Sequence, residues 1–407
     1  MFRKLGSQIA GLLGDQAQAV EPVDLTSDAF LADPVPIYDA FRKTRPLAQV
    51  QGGGYLLTRA VDIVASLSDS HLGNAPSRFS ALSEGKRATH VSADVAANIP
   101  PFLDKPRHVE IRRPVSAAFY QSFAACKTWL PQLADHQISA MARGVSFDAN
   151  IEFARPFAIA AMARFVGLPH DPTAISQATD ALFSLFAPIQ SREALDRTNT
   201  RLAEARHFIE QVMAQPTLDP QCFLAQLSPH LSPQAVCDNA LLILADGVEN
   251  IAAGVATFFV VMQQQPDVWQ SLQTDPGQLA NAVHEALRLE SPAQIIPRII
   301  QEETVLHGIT LKPGTPLFLA LGSANRDPDA HDEPAAFDLA RDARAALIFG
   351  RGRHACIGTQ LALLLIEAAV SALLAAGVTM QFTPADLHYQ HRFGHRWPLG
   401  VMIDLPD

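Results

Sequence analysis

The sequence predicts a mainly α-helical fold that carries small β-sheets. Helical spacing of apolar residues dominates from His108 onward, strand-like runs are few and short, and the composition suits a large core. The chain has 407 residues, 48% hydrophobic and 18% charged, so it is globular and can bury much apolar surface. Length alone suggests two or three domains, unless one core is organised around something at its centre.

Residues 1–24 have the character of a tail closed by Glu21-Pro22-Val23, and folded structure is expected from Leu25. The run Ile37-Tyr38-Asp39-Ala40-Phe41-Arg42 has helical spacing, and Tyr55-Leu56-Leu57-Thr58, after three glycines, reads as a strand. Residues 70–103 mix Ser, Ala, Asn, Gly and Pro without a sustained period and predict a long irregular segment, which in a compact protein is usually functional. Helices are then expected at 108–120, 126–144, 156–166, 173–187, 192–213, 222–227, 233–263, 267–273, 277–290 and 359–376. Strands are expected only at Gln294–Val305, Thr315–Leu319 and near Val401–Leu405. No internal repeat or low-complexity segment interrupts this order.

Lys plus Arg number 31 and Asp plus Glu 41, a net charge of −10 with no basic run, which excludes a nucleic-acid binder that tracks phosphates. The four cysteines Cys126, Cys222, Cys237 and Cys356 have no CxxC spacing and no cleavable signal peptide ahead of them. That pattern predicts a reducing, cytoplasmic setting without a disulfide framework. The best candidate for a membrane span is Leu361–Val378, but Glu367 and Ser371 interrupt it and a buried core helix is the better reading. Phe2–Leu13 is short and weakly amphipathic, so no membrane association is expected.

The most informative stretch is Phe349-Gly350-Arg351-Gly352-Arg353-His354-Ala355-Cys356-Ile357-Gly358, immediately before an apolar helix. Glycines before a cysteine let backbone approach a flat object, and a thiolate at a helix N-terminus is stabilised by free N–H groups. Hydrogen bonds of that kind also tune a metal held by the sulfur. A lone cysteine on a turn is ordinarily a structural one. Here, however, Arg351, Arg353 and His354 would be costly beside a core unless they met anionic groups.

This loop resembles the haem-ligand loop of the cytochrome P450 family, Phe-Gly-x-Gly-x-His-x-Cys-x-Gly, at every fixed position. Further signatures follow in order over residues 25–405. Glu285-Ala286-Leu287-Arg288 is similar to the family's Glu-x-x-Arg pair, and Phe337-Asp338-Leu339-Ala340-Arg341 to the stretch that completes its buried ionic triad. Asn325-Arg326-Asp327-Pro328 matches the turn-rich connection towards the cysteine. The resemblance implies one haem-centred domain over residues 25–407, with haem b as cofactor. It implies Cys356 as the metal ligand, with Phe349 and Gly350 against the cofactor. His108 and Arg112, four apart on one helix face, would bind the propionates together with Arg298 and His354. Two carboxylates in an apolar cavity require such charge-assisted donors. Arg107 and Arg113 are expected to be surface cations.

The segment from Leu241 to Gly254 is apolar all round except for a polar knot at its middle. It is similar to the family's oxygen-binding helix, usually Ala/Gly-Gly-x-Asp/Glu-Thr. Gly247 and Glu249 match, whereas Asp246 stands in place of the small residue and Asn250 in place of the threonine. Glu249, Asn250 and Asp246 are therefore the candidate catalytic residues. An amide can donate and accept but does not readily relay a proton, so Glu249 with ordered water is expected to relay, and Asn250 to position the reacting oxygen. Asp246 shares a helix face with Asn250, Ala253 and Thr257. It is expected either to contact a substrate amine or hydroxyl or, as buried acids usually do, to pair internally; pairing is the favoured expectation.

By resemblance the substrate cavity is lined by residues 74–102, by 175–190 including Phe183 and Phe186, by Leu242 and Ala245, by Ala293, Ile295 and Ile296, and by 393–397. His388, His391 and His395 are expected in a solvated loop. The implied activity is that of a monomeric monooxygenase inserting one oxygen atom into a small organic molecule, by hydroxylation or epoxidation. Electrons would come from NAD(P)H through a separate ferredoxin or flavodoxin, with Arg351, Arg353 and Arg113 as docking cations. The altered Asp246 and Asn250 keep open peroxide-driven oxidation or oxidative coupling, and a non-catalytic haem sensor or carrier is the alternative from another class.

Overall fold

The computed structural model describes residues 21–407 apart from 77–79, 187–190, 217 and 343–344. Residues 1–20 of the expected tail, with its Phe2–Leu13 stretch, lie outside the described residues. The fold already includes Val23, which is buried and forms a β-bridge with Val50, slightly ahead of the expected start.

The helices are α1 (Asp28–Ala32), α2 (Val35–Thr44), α3 (Ala60–Ser68), α4 (Val91–Ala96), α5 (Arg107–Cys126), α6 (Leu130–Ser139), α7 (Arg155–Val166) and α8 (Pro172–Phe183). They continue with α9 (Arg192–Met213), α10 (Phe223–Leu227), α11 (Pro233–Met262), α12 (Pro266–Thr274), α13 (Leu279–Leu289), α14 (Leu321–Ala324) and α15 (Thr359–Ala375). The strands are β1 (Leu47–Gln49), β2 (Tyr55–Leu57), β3 (Leu72–Gly73), β4 (Val145–Asp148), β5 (Ile295–Ile300) and β6 (Thr304–Leu306). After them come β7 (Ile309–Leu311), β8 (Pro316–Ala320), β9 (Thr379–Met380), β10 (His388–Tyr389), β11 (Pro398–Leu399) and β12 (Met402–Leu405). The predicted class, mainly α with small β-sheets, is what the structure shows.

The largest sheet has five strands in the order β1-β2-β8-β5-β3, with β2 and β8 parallel and the remaining pairs antiparallel. Within it Arg298 of β5 lies opposite Leu317 of β8, which fixes the face that Arg298 presents. A three-stranded sheet joins β4, β12 and β9, and two hairpins complete the β structure. Three differences from expectation have local causes. The helix expected to run to 144 stops at Ser139, because Gly144 turns the chain with φ of 68° and Val145–Asp148 pairs with β12. The strand expected at 294–305 is divided into β5 and β6. The segment expected to be irregular holds α4, pinned by tertiary contacts that no local pattern carries: Arg206 of α9 binds both Asp94 of α4, at 2.9 Å, and Asp238 of α11, at 2.6 Å.

Helix α11 runs through the largest core cluster and packs against α7, α8, α9, α13 and α15. Its start is set by Ser232, whose hydroxyl accepts from the Ala235 N–H, with Pro233 at the first helical position. At 30 residues it is about 45 Å long. By length and composition it is the helix that could cross a membrane, rather than the stretch picked from sequence, yet 83% of its most apolar window is buried inside this fold. Gly247 makes that burial possible, since a Cβ there would lie 2.5 Å from Cε of Met162 on α7. Two smaller clusters fill the space around the five-stranded sheet. Thus α11, the start of α5, the start of α15 and β5 are brought around one interior region.

Candidate functional site

Cys356 lies just before α15, in a loop closed by its own N–H donating to the Phe349 carbonyl at 2.9 Å. Gly352 is required there: its φ is 77° and a Cβ would sit 2.9 Å from the Leu67 carbonyl oxygen. Arg353 ties the loop to the same region by donating to the Leu72 carbonyl at 2.7 Å. The Cys356 side chain has free surface, yet burial is the largest influence on its pKa and pushes it up, against the backbone N–H of Gly358 and the charge of Arg112. Free surface that is nevertheless desolvated belongs to an enclosed space within the protein. In the chain alone, burial outweighs the helix N-terminus that the sequence suggested would lower this pKa. The other three cysteines are buried, and burial pushes Cys126 and Cys237 up to about 12.

Around Cys356 stand cationic and imidazole groups that, among the described residues, have no carboxylate hydrogen-bonded or ion-paired to them. His108 is buried and neither ring nitrogen has a hydrogen-bond partner; His354 Nε2 also lacks one, and the two rings lie 4.2 Å apart. Arg298 is 5% exposed and its guanidinium donates only to the carbonyl of Pro297, at 2.8 Å. Arg112 donates to the Ala355 carbonyl at 2.7 Å. Among the described residues no carboxylate pairs with Arg112 or Arg298. Burial, then neighbouring cations, lower the pKa of His108 and take His354 down to about 3; the same causes bring Arg298 down to about 10. Such a cluster is unfavourable unless a polyanion completes it. A group with two carboxylates and a metal that accepts sulfur fits these donors and this thiol.

Phe349 and Gly350 occupy the loop beside Cys356, both partly buried. The pair Glu285–Arg288 is fully buried, with contacts of 2.8 and 2.7 Å, and Arg341 completes the triad at 3.0 Å from Glu285. Arg288 also donates to the carbonyls of Asn325, Pro334 and Ala336. Arg107 and Arg113 are at the surface, as expected, and so is Arg351; Arg353, committed to backbone carbonyls, is not a free docking cation.

On α11 the three polar residues divide. Glu249 is 7% exposed and accepts from Arg155 at the start of α7, at 2.9 Å; Arg155 also donates to Ser176 Oγ at 3.0 Å. Asn250 donates its amide to the Asp246 carbonyl at 3.0 Å, one helical turn back. Asp246 has some free surface and no side-chain partner among the described residues, so the favoured expectation of internal pairing is overturned. Burial alone pushes its pKa up to about 7, and its charge is felt at Cys356.

The expected lining residues separate as well. Leu242 and Ala293 keep their positions on α11 and before β5, but Ala245 has no free surface. Ile295 and Ile296 alternate in β5: Ile295 turns into the N-terminal core cluster, while Ile296 shares the face of Arg298. Three of the segments expected by resemblance to line the cavity, 74–102, 175–190 and 393–397, meet in one aromatic group. Phe183 meets Trp397 at 5.1 Å and His395 at 5.7 Å, and Phe186 stacks on Phe102 at 5.1 Å. His395 is therefore not on a solvated loop: burial takes its pKa down to about 4. The signal available was the two-residue spacing of His395 and Trp397 beside the bridge that pairs His395 with Ala293. His391 is exposed, beside Asp28.

These features agree with comparisons to known proteins. The family description of cytochrome P450 matches residues 178–376. The chain is 24% identical over 381 residues to a biotin biosynthesis cytochrome P450 of Bacillus subtilis (strain 168), covering 91% of this chain and 95% of that one. It is 29% identical over 350 residues to a 20-oxo-5-O-mycaminosyltylactone 23-monooxygenase of Streptomyces fradiae, covering 83% and 81%. The crystal structure of CalO2 superposes with a TM-score of 0.83 at 25% identity, covering 95% of this chain and 99% of that one. Sequence, fold and a thiol ringed by unneutralised donors converge on one assignment, and the chain belongs to the cytochrome P450 family of oxygen-incorporating oxidoreductases.

Proposed function

We propose that this enzyme inserts one atom of dioxygen into a small apolar molecule, by hydroxylation or epoxidation, using haem b held by the Cys356 thiolate. The observation that carries the reading is the set of His108, Arg112, Arg298 and His354, which surround a desolvated thiol and, among the described residues, have no carboxylate hydrogen-bonded or ion-paired to them. His108, Arg112, Arg298 and His354 would hold the propionates, and Phe349 and Gly350 would pack against the macrocycle. When bound, haem supplies the iron centre at which dioxygen is activated. The chain's own residues exclude water, orient substrate and move protons. Glu249, fixed by Arg155, is the acid proposed to pass protons through ordered water, and Asn250, fixed by the Asp246 carbonyl, positions the reacting oxygen. Leu242, Ala293 and Ile296 would line the substrate side. Electrons would reach the site from NAD(P)H through a separate ferredoxin or flavodoxin, docking near the exposed Arg113 and Arg351, in a cytoplasmic monomer.

The test is spectroscopic and kinetic. The reduced protein should bind carbon monoxide with the red-shifted band of thiolate ligation and, with a reconstituted electron supply, consume NAD(P)H in a substrate-dependent manner. A holoprotein without that band sinks the assignment of Cys356. A second reading, peroxide-driven oxidation, is favoured by one observation: the side chains of Glu249 and Asn250 are both already engaged by protein groups. Turnover with peroxide equal to that with the electron chain would select it.

A further inference from the structure

Asp246 differs from Asp238, Glu249 and Glu285, the acids of the helical core that are held by arginines. Asp238 has Arg206 at 2.6 Å, Glu249 has Arg155 at 2.9 Å, and Glu285 has both Arg288 and Arg341. Asp246 has no cation and no hydrogen-bond donor among the described residues, it keeps some free surface, and its charge is felt at Cys356. An acid kept without a counter-charge in a desolvated position is unfavourable, so a partner from outside the chain is the natural complement.

His395 adds a second point of the same polarity. Its Nδ1 lies 2.9 Å from the Phe393 carbonyl, which can only accept, so Nδ1 carries the proton and Nε2 is an acceptor. Its ring packs on Phe183 and Trp397, within the aromatic group that reaches Phe186 and Phe102. The nearby cations are taken. Arg392 lies over the faces of Phe183 and Trp397, 4.6 and 4.8 Å from their centroids, and pairs with Asp180 at 3.5 Å, while Arg155 is held by Glu249 and Ser176. Trp397 Nε1 is buried and lacks a partner among the described residues.

Resting on the haem-thiolate reading above, we propose that Asp246 and His395 make this chamber selective for an apolar molecule bearing a cationic head or a hydroxyl donor, and against carboxylates. The cation lies beside Asp246 with its apolar body against the aromatic group. A carboxylate would meet an acid and a bare imidazole nitrogen, with no free guanidinium to receive it.

The test uses purified holoprotein and three probes that differ only in their heads: 4-phenylbutyl-trimethylammonium, 4-phenylbutanol and 4-phenylbutanoate. The quaternary head cannot ligate iron, so calorimetry and the spectral shift both report chamber binding. At pH 8 the ammonium should bind about tenfold or more tighter than the carboxylate, the ratio expected of one charge-assisted contact. Asp246→Asn should remove most of that preference while leaving the alcohol's affinity within about twofold, and His395→Phe should weaken the alcohol selectively. The proposal is overturned if the carboxylate binds as tightly as the ammonium, if none of the probes binds, or if Asp246→Asn leaves the ammonium-to-alcohol ratio unchanged. The wild-type ranking decides the matter even if a variant fails to fold. A missing thiolate band in the wild type would instead remove the haem-thiolate reading, while calorimetry would still report the ranking.

Discussion

Among the described residues, the cations around Cys356 have no carboxylate paired with them, whereas Asp246 is an acid with no cation paired to it. The first arrangement is answered by a group that the family as a whole carries, and its residues match the family pattern at every fixed position. The second involves two departures from that pattern, Asp246 and Asn250, and is answered by nothing among the described residues. The contrast teaches that the proximal side is built to hold a cofactor, while the distal side has been altered for what is particular to this enzyme. Glu249 marks the boundary between the two plans, because it is a distal acid that already has its arginine.

Four experiments break or sharpen this comparison, the first three in falling order of effect. Cys356→Ser should abolish the thiolate carbon monoxide band and, with it, monooxygenase turnover; retention of the band would break the proximal assignment. Glu285→Gln should cost about 3–5 kcal/mol in denaturant unfolding, because it strips a fully buried ion pair that organises the approach to the cysteine loop. A loss below about 1 kcal/mol would show that the triad contributes little. Arg298→Leu should speed haem transfer to a scavenging protein by an amount corresponding to about 1.5–3 kcal/mol, the worth of a hydrogen bond to a charged group. Unchanged haem retention would remove Arg298 from the propionate set.

The fourth, read as a pH profile rather than ranked by size, distinguishes the distal side. In the haem-free chain the folded pKa of Asp246 is about 7, above the ordinary 3.8. Its contribution is therefore fully favourable below about pH 4 and is lost as pH rises through about 7. Asp246→Asn, neutral throughout, should gain stability relative to wild type across that window and then hold a constant advantage. A flat difference between pH 4 and 8 would mean that Asp246 has a partner after all.

The proximal side was legible in sequence because its chemistry is compressed into ten residues from Phe349 to Gly358, and because His108 and Arg112 are one helical turn apart. Helix positions were legible wherever apolar periodicity persisted, as in α9 and α11. The fate of Asp246 was not legible, since whether an acid is paired depends on residues remote in sequence; the partner of Glu249 is 94 positions away. For the same reason His395 read as a loop histidine, although Phe183 of α8 encloses it. α4 was lost because it is short and held by Arg206 rather than by an amphipathic pattern.

The anchoring of Arg353 on the Leu72 carbonyl, across 281 positions, has a consequence for truncation and assembly. A fragment beginning after residue 75 would keep the thiol, His108, Arg112, Arg298, His354 and all of α11, and would still read as complete by its motifs. It would lack the carbonyls that hold Arg353 and the Leu67 backbone against which Gly352 is seated. Closing that contact is among the least local steps in the chain, and non-local closure is slow. Residues Leu67 and Leu72 thus complete the seating of the cysteine loop, and a chain trimmed past them would present Cys356 in a loop without that support.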